Sequence, residues 1–263
     1  METIKSKKLI AVDTNAKTIK GLTKGWNTGI MYLAPEKLAG EANLCGHASE
    51  ACAEACLNTS GLGGVYPSIQ RARINKALYF IRERNEFMMQ IDKEISELLK
   101  KYGDNLCIRL NGTSDIPFNN IKLASGKNII ELYPDTQFYD YTKDYKKVIN
   151  NSLPNYHLTY SIDERAVSSW KGSQVLKSGK NIAIVVSVKL YNDLFPKNRA
   201  DDYKNFITND KSESFELLNG DESDLRFLDR KGIVILKAKG KAKNDKSGFV
   251  KYDISEIINL TEL

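Results

Sequence analysis

The stretch NLCGHASEACAEACLN holds three of the chain's four cysteines, Cys45, Cys52 and Cys56, and one of its two histidines, His47. Thiols gathered so closely close a disulfide, ligate zinc or hold an iron–sulfur cluster. The C-x6-C-x3-C spacing lacks the two close cysteine pairs of a structural zinc site. Three thiolates from one loop leave a coordination position open. In a cubane cluster that position is an iron free to take a ligand. On zinc it is filled by His47 or by water. Cys107 opens an apolar run and reads as a small buried hydrophobe.

Other side chains capable of chemistry recur where apolar runs end. Asn111, Thr113, Ser114 and Asp115 follow LCIRL; Asp140, Thr142 and Lys143 end TQFYDYT; Ser161 and Asp163 end YHLTYSI; Lys237 and Lys239 end GIVILKAK. The carboxyl ends of parallel strands are where α/β folds build their sites. Asp115, Asp140 and Lys143 are therefore the catalytic candidates. Each also has a plainer reading. Asp115 can cap a helix before IPFNN. Asp140 stands between two tyrosines and, if buried, needs a partner such as Lys143 or Arg109. His157 suits a core position. Asp221, Glu222, Asp224 and Arg226 in NGDESDLRF read as a solvated acidic turn. Trp26, Tyr139, Tyr141 and Tyr160 either stack on a base or fill the core.

The elements that must position these groups follow from periodicity. TGIMYL, LCIRLNGT, TQFYDYT, YHLTYSI, IAIVVSV and GIVILKAKG are short apolar runs, several of them continuous, as strands covered on both faces are. Most connections are long enough for a crossover, which makes neighbouring strands parallel. From Pro67 to Gly103, Ile74, Leu78, Ile81, Met88, Ile91, Ile95 and Leu98 recur at helical spacing, as one helix or as two joined near Arg84 and Asn85. The expected architecture is α/β: a partial, TIM-like parallel (β/α)6 barrel over residues 28–263, preceded by a small N-terminal extension, residues 1–27, with a weak strand at KLIAV.

At 263 residues, 41% hydrophobic and 27% charged, the chain can bury a full core. It has no apolar run long enough for a transmembrane span or a signal peptide. A cytoplasmic location and no membrane partner are expected. There thiols stay reduced, so the cysteine loop points to metal or catalysis. The net charge of +6 is uneven: Lys237, Lys239, Lys241 and Lys243 crowd one segment, and Arg71, Arg73, Lys76, Arg82 and Arg84 another. Such runs are solvated faces or contacts for nucleic acid.

CAEACLNTSGLGG, QRARI, RLNGTSDIPF, FYDYTK, NYHLTYS, GDESDLRFLD and LKAKGKA together resemble the blocks of the phage gene product 88 family. That resemblance implies phage biology, in the host cytoplasm. The cysteine loop, placed after the first barrel strand and before the first long helix, resembles that of the radical S-adenosylmethionine superfamily. It is similar in particular to a phage group related to spore photoproduct lyase, whose Thr-Lys strand end Thr142 and Lys143 match. This second resemblance implies a 4Fe–4S cluster on Cys45, Cys52 and Cys56, with S-adenosylmethionine at the open iron and an external electron donor. Asn111, Thr113 and Asp115 would hold the cofactor's ammonium group, Lys143 its carboxylate, and Ser161 and Asp163 its ribose.

The function expected from these readings is a radical S-adenosylmethionine-like enzyme that modifies nucleic acid or a nucleotide. Two alternatives stay open. One is a zinc-dependent barrel enzyme exchanging or modifying a DNA base, with Asp115 or Asp140 as nucleophile. The other is a metal-stapled binding protein without catalysis.

Overall fold

The structure, a computed structural model, describes residues 6–198 and 205–263. Residues 1–5 of the expected extension lie outside the described residues. In chain order the elements are β1 (Ile10–Val12), α1 (Ala16–Leu22), β2 (Asn27–Met31), α2 (Glu50–Glu54), α3 (Gly61–Val65), α4 (Pro67–Arg82) and α5 (Arg84–Tyr102). Then follow β3 (Leu106–Arg109), α6 (Ile129–Leu132), β4 (Gln137–Thr142), α7 (Tyr145–Ile149), β5 (Tyr156–Ser161) and α8 (Ala166–Lys177). The remainder is β6 (Ile182–Val186), α9 (Val188–Leu194), β7 (Asn205–Thr208), β8 (Ser214–Asn219), β9 (Gly232–Lys237), β10 (Val250–Lys251) and α10 (Ile254–Glu262). The class is mixed α/β with a mostly parallel sheet. All six apolar runs form strands, as β2, β3, β4, β5, β6 and β9.

The chain divides into two compact units. Unit one comprises Met1–Ala48, Asn58–Asp140 and Asn151–His157; unit two comprises Ser49–Leu57, Tyr141–Asn150 and Leu158–Leu263.

In unit one β2 pairs parallel with β3, and β3 with the start of β4. β1 lies antiparallel on β2, with Ile10 opposite Met31. The stretch read as an extension thus supplies a sheet strand, and α1 within it carries a capping box at Asn15. The β1 edge is not left bare. Glu94 of α5 accepts from the Leu9 and Ile10 amides at 2.9 and 2.8 Å, and the Lys76 ammonium of α4 donates to the Leu9 carbonyl at 2.8 Å. Unpaired backbone groups at a buried edge need such partners. The long helical pattern forms two helices, broken at Glu83 (φ −129°, ψ 56°). On α5, Phe87, Met88, Ile91 and Ile95 are buried, the stripe of an amphipathic helix.

In unit two β5 pairs parallel with β6, β6 with β9, and β9 with β8. β10 adds a short parallel pairing at Val185 and Val186, the end of β6. β7 runs antiparallel to β8. Continuous runs such as Ile182–Val186 and Gly232–Lys237 are almost wholly buried, as parallel strands require. Helix α8 brings Gly172 against Ile162, where an added Cβ would stand 2.2 Å from its Cδ1, so a larger residue would require the Ile162 side chain to shift.

Candidate functional site

The candidate residues fall into two groups, one in each unit. In unit one the turn after β3 is built by Asn111. Its Oδ1 accepts from the Ser114 hydroxyl at 3.0 Å and the Ile116 amide at 2.8 Å, while its Nδ2 donates to the Ile116 carbonyl at 3.0 Å and to Asp140 at 3.1 Å. With two donors and two acceptor lone pairs, the carboxamide is fully taken up in closing this turn. Asp140 is completely buried and accepts from the Asn111 amide at 2.8 Å and from the Tyr156 hydroxyl at 2.9 Å. Asn111 and Tyr156 are thus hydrogen-bond partners of this carboxylate that a pairing with Lys143 or Arg109 does not anticipate. Burial, then the Asp140 charge, holds the Tyr156 phenol well above its ordinary range, so it stays a donor.

The same turn receives the first cysteine. Thr113 donates its hydroxyl to the Leu33 carbonyl at 2.6 Å, and the Asp115 amide donates to the Leu44 carbonyl at 2.9 Å. The half-buried Cys45 thiol points at the Thr113 carbonyl, 3.9 Å away. Asp115 caps no helix: the short 3-10 turn that follows is Phe118–Asn120, and Pro117 precedes it. Gly112 is forced by the approach of this turn to β2. Its amide donates to the Met31 carbonyl at 2.9 Å, and a Cβ there would lie 2.7 Å from that same oxygen.

In unit two α2 positions the second cysteine. Ser49 is its N-cap and accepts from the Cys52 amide at 3.2 Å; its own hydroxyl donates to Glu164 at 2.7 Å. Cys52 packs against an apolar cluster of Ala51, Ala55, Ala238, Ala242, Phe249 and Val250, joined by Val185. Ala51 and Ala55 belong to α2 itself or its C-terminal cap, while Val185, Ala238 and Val250 stand at or just beyond the ends of β6, β9 and β10. Lys143, one residue past β4, is buried there. Its ammonium donates to the Ser161 and Ile162 carbonyls at 3.0 and 3.1 Å and lies 3.8 Å from Asp163 and 5.4 Å from the centre of the Phe249 ring. Asp163 in turn receives Arg165 in a fork, Nε at 3.0 Å and Nη2 at 2.6 Å.

The charges of this cluster act on one another. Burial pushes the Cys52 thiol up; the Lys143 cation pulls it down, and Cys56, Asp163 and Glu164 add to the rise. The outcome is a neutral thiol at pH 7, with Cys56 close enough to be felt. Burial also pushes the Asp163 carboxyl up, but the Arg165 hydrogen bonds and the Lys143 charge outweigh it and hold the group below the usual carboxylate range. Lys143, Ser161, Asp163 and Cys52 are therefore brought together, as are Cys45, Asn111, Thr113, Asp115 and Asp140 in their own unit. His47 is exposed. Among the described residues no group of three or more His, Cys, Asp or Glu is arranged to hold a metal ion.

Several members had no sequence signal strong enough to single them out. Ser49 has a faint one: a serine three residues before Cys52, at the start of an alanine-rich helix. Glu164 and Arg165 lie beside Asp163 in one DER triplet. Tyr156 and Phe249 carry none, because their partners are remote in the chain. The NGDESDLRF segment is no solvated turn: Asp224 and Arg226 are buried, and Arg226 meets Asp229 at 3.0 Å. Of the crowded lysines, Lys239 pairs with Asp221 at 2.6 Å and Lys237 lies over the Tyr191 ring at 4.5 Å, while Lys241 and Lys243 are exposed.

A family model, that of Gene product 88, matches residues 6–252 of the chain. No curated protein and no solved structure matches it. No helix among the described residues is long and apolar enough to cross a membrane.

Proposed function

The chain belongs to the Gene product 88 family, and on that footing we propose that it is a phage enzyme of partial (β/α) barrel form. Its chemistry would centre on the cysteine loop and the strand ends that carry Lys143 and Asp163. The observation that carries this reading is the placing of Cys52 beside the Lys143–Asp163 pair in unit two, at the ends of parallel strands. A buried ammonium held by two backbone carbonyls is a fixed positive charge, suited to orienting the carboxylate or phosphate of a bound molecule. Asp163, clamped by Arg165, holds that charge in place. The apolar cluster shields one side of the half-buried Cys52 thiol.

The donor set, one thiol on a short helix and others in the loop on either side of it, suits iron–sulfur or zinc chemistry. An iron–sulfur cluster with S-adenosylmethionine is our first reading, and zinc the second. The fit is partial: Cys52 and Cys56 interact, but the described residues present no three-ligand set. We therefore assign the metal no step. The Asp140 carboxylate, saturated by Asn111 and Tyr156, makes a poor nucleophile, which weighs against base exchange through that residue. Any contact with nucleic acid through the lysine segment would fall on Lys241 and Lys243.

The test is metal analysis and visible absorption of anaerobically purified protein, with Cys52→Ser and Cys107→Ser beside it. The first reading expects iron, sulfide and a broad visible band, lost in Cys52→Ser and kept in Cys107→Ser. Colourless protein with one zinc selects the second. Metal that is present without turnover of S-adenosylmethionine or of a base points to a stapled binding protein. Metal-free, stable protein overturns the metal reading altogether.

A further inference from the structure

Unit one carries a cleft of about 410 Å³ between α3 and the first turns of α4. That is within the range of small-ligand sites. It is lined by Val65 and Tyr66 at the end of α3 and by Pro67, Gln70, Arg71 and Ile74 of α4. None of its lining residues is acidic. Tyr66 is 52% exposed and Val65 69%, so the cleft presents an aromatic ring and an aliphatic face directly to solvent. The Arg71 guanidinium at its wall is exposed, and among the described residues no hydrogen bond or ion pair engages it.

The cleft is rigidly built. Asn58, completely buried, donates to the Gln70 Oε1 at 2.8 Å, and Gln70 donates back to the Asn58 carbonyl at 2.6 Å. Arg73 donates to the Asn58 Oδ1 at 2.6 Å and lies 5.0 Å from the centre of the Tyr32 ring. These bonds fasten the loop before α3 onto α4. The glycines of GLGG allow the fit: a Cβ on Gly63 would stand 2.7 Å from the Arg73 guanidinium, and one on Gly64 would stand 2.1 Å from the Thr59 carbonyl oxygen. The neighbouring Arg73 holds the wall through Asn58, whereas the Arg71 and Tyr66 side chains make no such bond among the described residues, Tyr66 joining α3 to α4 by its backbone alone.

We propose that this cleft docks a single-stranded nucleic acid, with Tyr66 stacking on an unpaired base and Arg71 meeting the adjoining phosphate. An exposed ring beside an unengaged cation, in a cleft free of carboxylates, has the complementarity that unpaired strands select. The ring face is useless to a duplex, whose bases are stacked already. The site rests on the cleft alone and not on the cysteine chemistry, so it stands or falls separately from the metal reading.

The test is fluorescence anisotropy of a labelled single-stranded oligodeoxynucleotide titrated with the full chain. Saturable binding that weakens with salt is expected. Tyr66→Ala and Arg71→Ala should each weaken it about tenfold or more, and Tyr66→Phe should leave it near the parent value. Both positions are exposed, so the variants should melt with the parent; if Tyr66→Ala fails to fold, Arg71→Ala still decides. The proposal is overturned if the parent does not bind, or if both alanine variants bind like the parent. It is also overturned if unlabelled duplex or a free mononucleotide competes as well as the strand. Loss of binding in a Lys241→Ala, Lys243→Ala double variant, with Tyr66→Ala silent, would move the site to the lysine segment and sink it too.

Discussion

The Tyr156 hydroxyl donates to the Asp140 carboxylate at 2.9 Å, in a place where Asp140 has no exposed surface and Tyr156 almost none. With Asn111 giving two further bonds, the carboxylate is the anchor of the turn that carries Thr113 and Asp115. Tyr156→Phe removes one donor and leaves a buried charge short of a partner. It should lower stability by about 1–3 kcal/mol in urea denaturation. Asp140→Asn should likewise act through stability, losing activity only as the turn loosens. A variant that melted like the parent yet lost all activity would instead make Asp140 a reacting group.

Asp163 should give unit two an acid-sensitive component. Its carboxyl titrates lower in the folded chain than in the unfolded one, where about 3.9 is expected. The stability this shift contributes is therefore fully present above about pH 4 and is lost as pH falls through the folded value. Asp163→Asn leaves the buried Lys143 cation without its carboxylate, at a cost of order 3 kcal/mol at pH 7. The gap between parent and variant should hold steady from neutral pH to about pH 4 and shrink below it. Denaturation midpoints at pH 7, 5 and 3 check this; a gap that widened on acidification would contradict it.

Much of this arrangement was legible beforehand, and the illegible part has physical causes. Because short apolar runs stand between polar connections, β2, β3, β4, β5, β6 and β9 could be read from the sequence; in β6 and β9 the run is close to unbroken, while Asp140 and Thr159 interrupt β4 and β5. The β7–β8 hairpin could not: NFIT and SFELLN mix Asn, Thr, Ser and Glu with few apolar residues, and Phe206 points to solvent. β10 is two residues long and exists only through its pairing with β6. In the site, the strand-end residues could be located, but not their partners. Tyr156 and Asp140 meet across strands, and a side chain's partner depends on register. Arg226 looked solvated because its segment is acidic; its burial follows from tertiary packing that composition does not record.

The cysteine helix should depend on Ser49. That hydroxyl caps α2 at the Cys52 amide and donates to Glu164, tying two loops of unit two at one atom. Ser49→Ala should cost about 1 kcal/mol, and α2, only Glu50–Glu54 long, has little else of its own to keep it wound. Faster alkylation of Cys52 than in the parent, read by mass spectrometry under native conditions, is the expected sign. Ser49→Asp keeps a capping oxygen but sets a second carboxylate against Glu164, so it should restore the cap only in part.

Gly112 offers the sharpest steric test. Its Cβ, if present, would meet the Met31 carbonyl oxygen, the Ile30 Cγ2 and the Tyr32 Cδ1, each at 2.7 Å. The oxygen belongs to β2 and accepts the Gly112 amide, so it cannot withdraw without loosening that hydrogen bond. Gly112→Ala should therefore push the Asn111–Asp115 turn away from β2, costing about 1–3 kcal/mol, the range for overpacking. Because the Asp115 amide bonds to Leu44 and the Cys45 thiol faces Thr113, the displacement should reach the cysteine loop. Faster amide exchange at Asp115 and Cys45 than in the parent is the expected readout. If instead the alanine variant matched the parent in both stability and exchange, the close packing of this turn on β2 would be wrong, and with it the placing of Cys45 against Thr113.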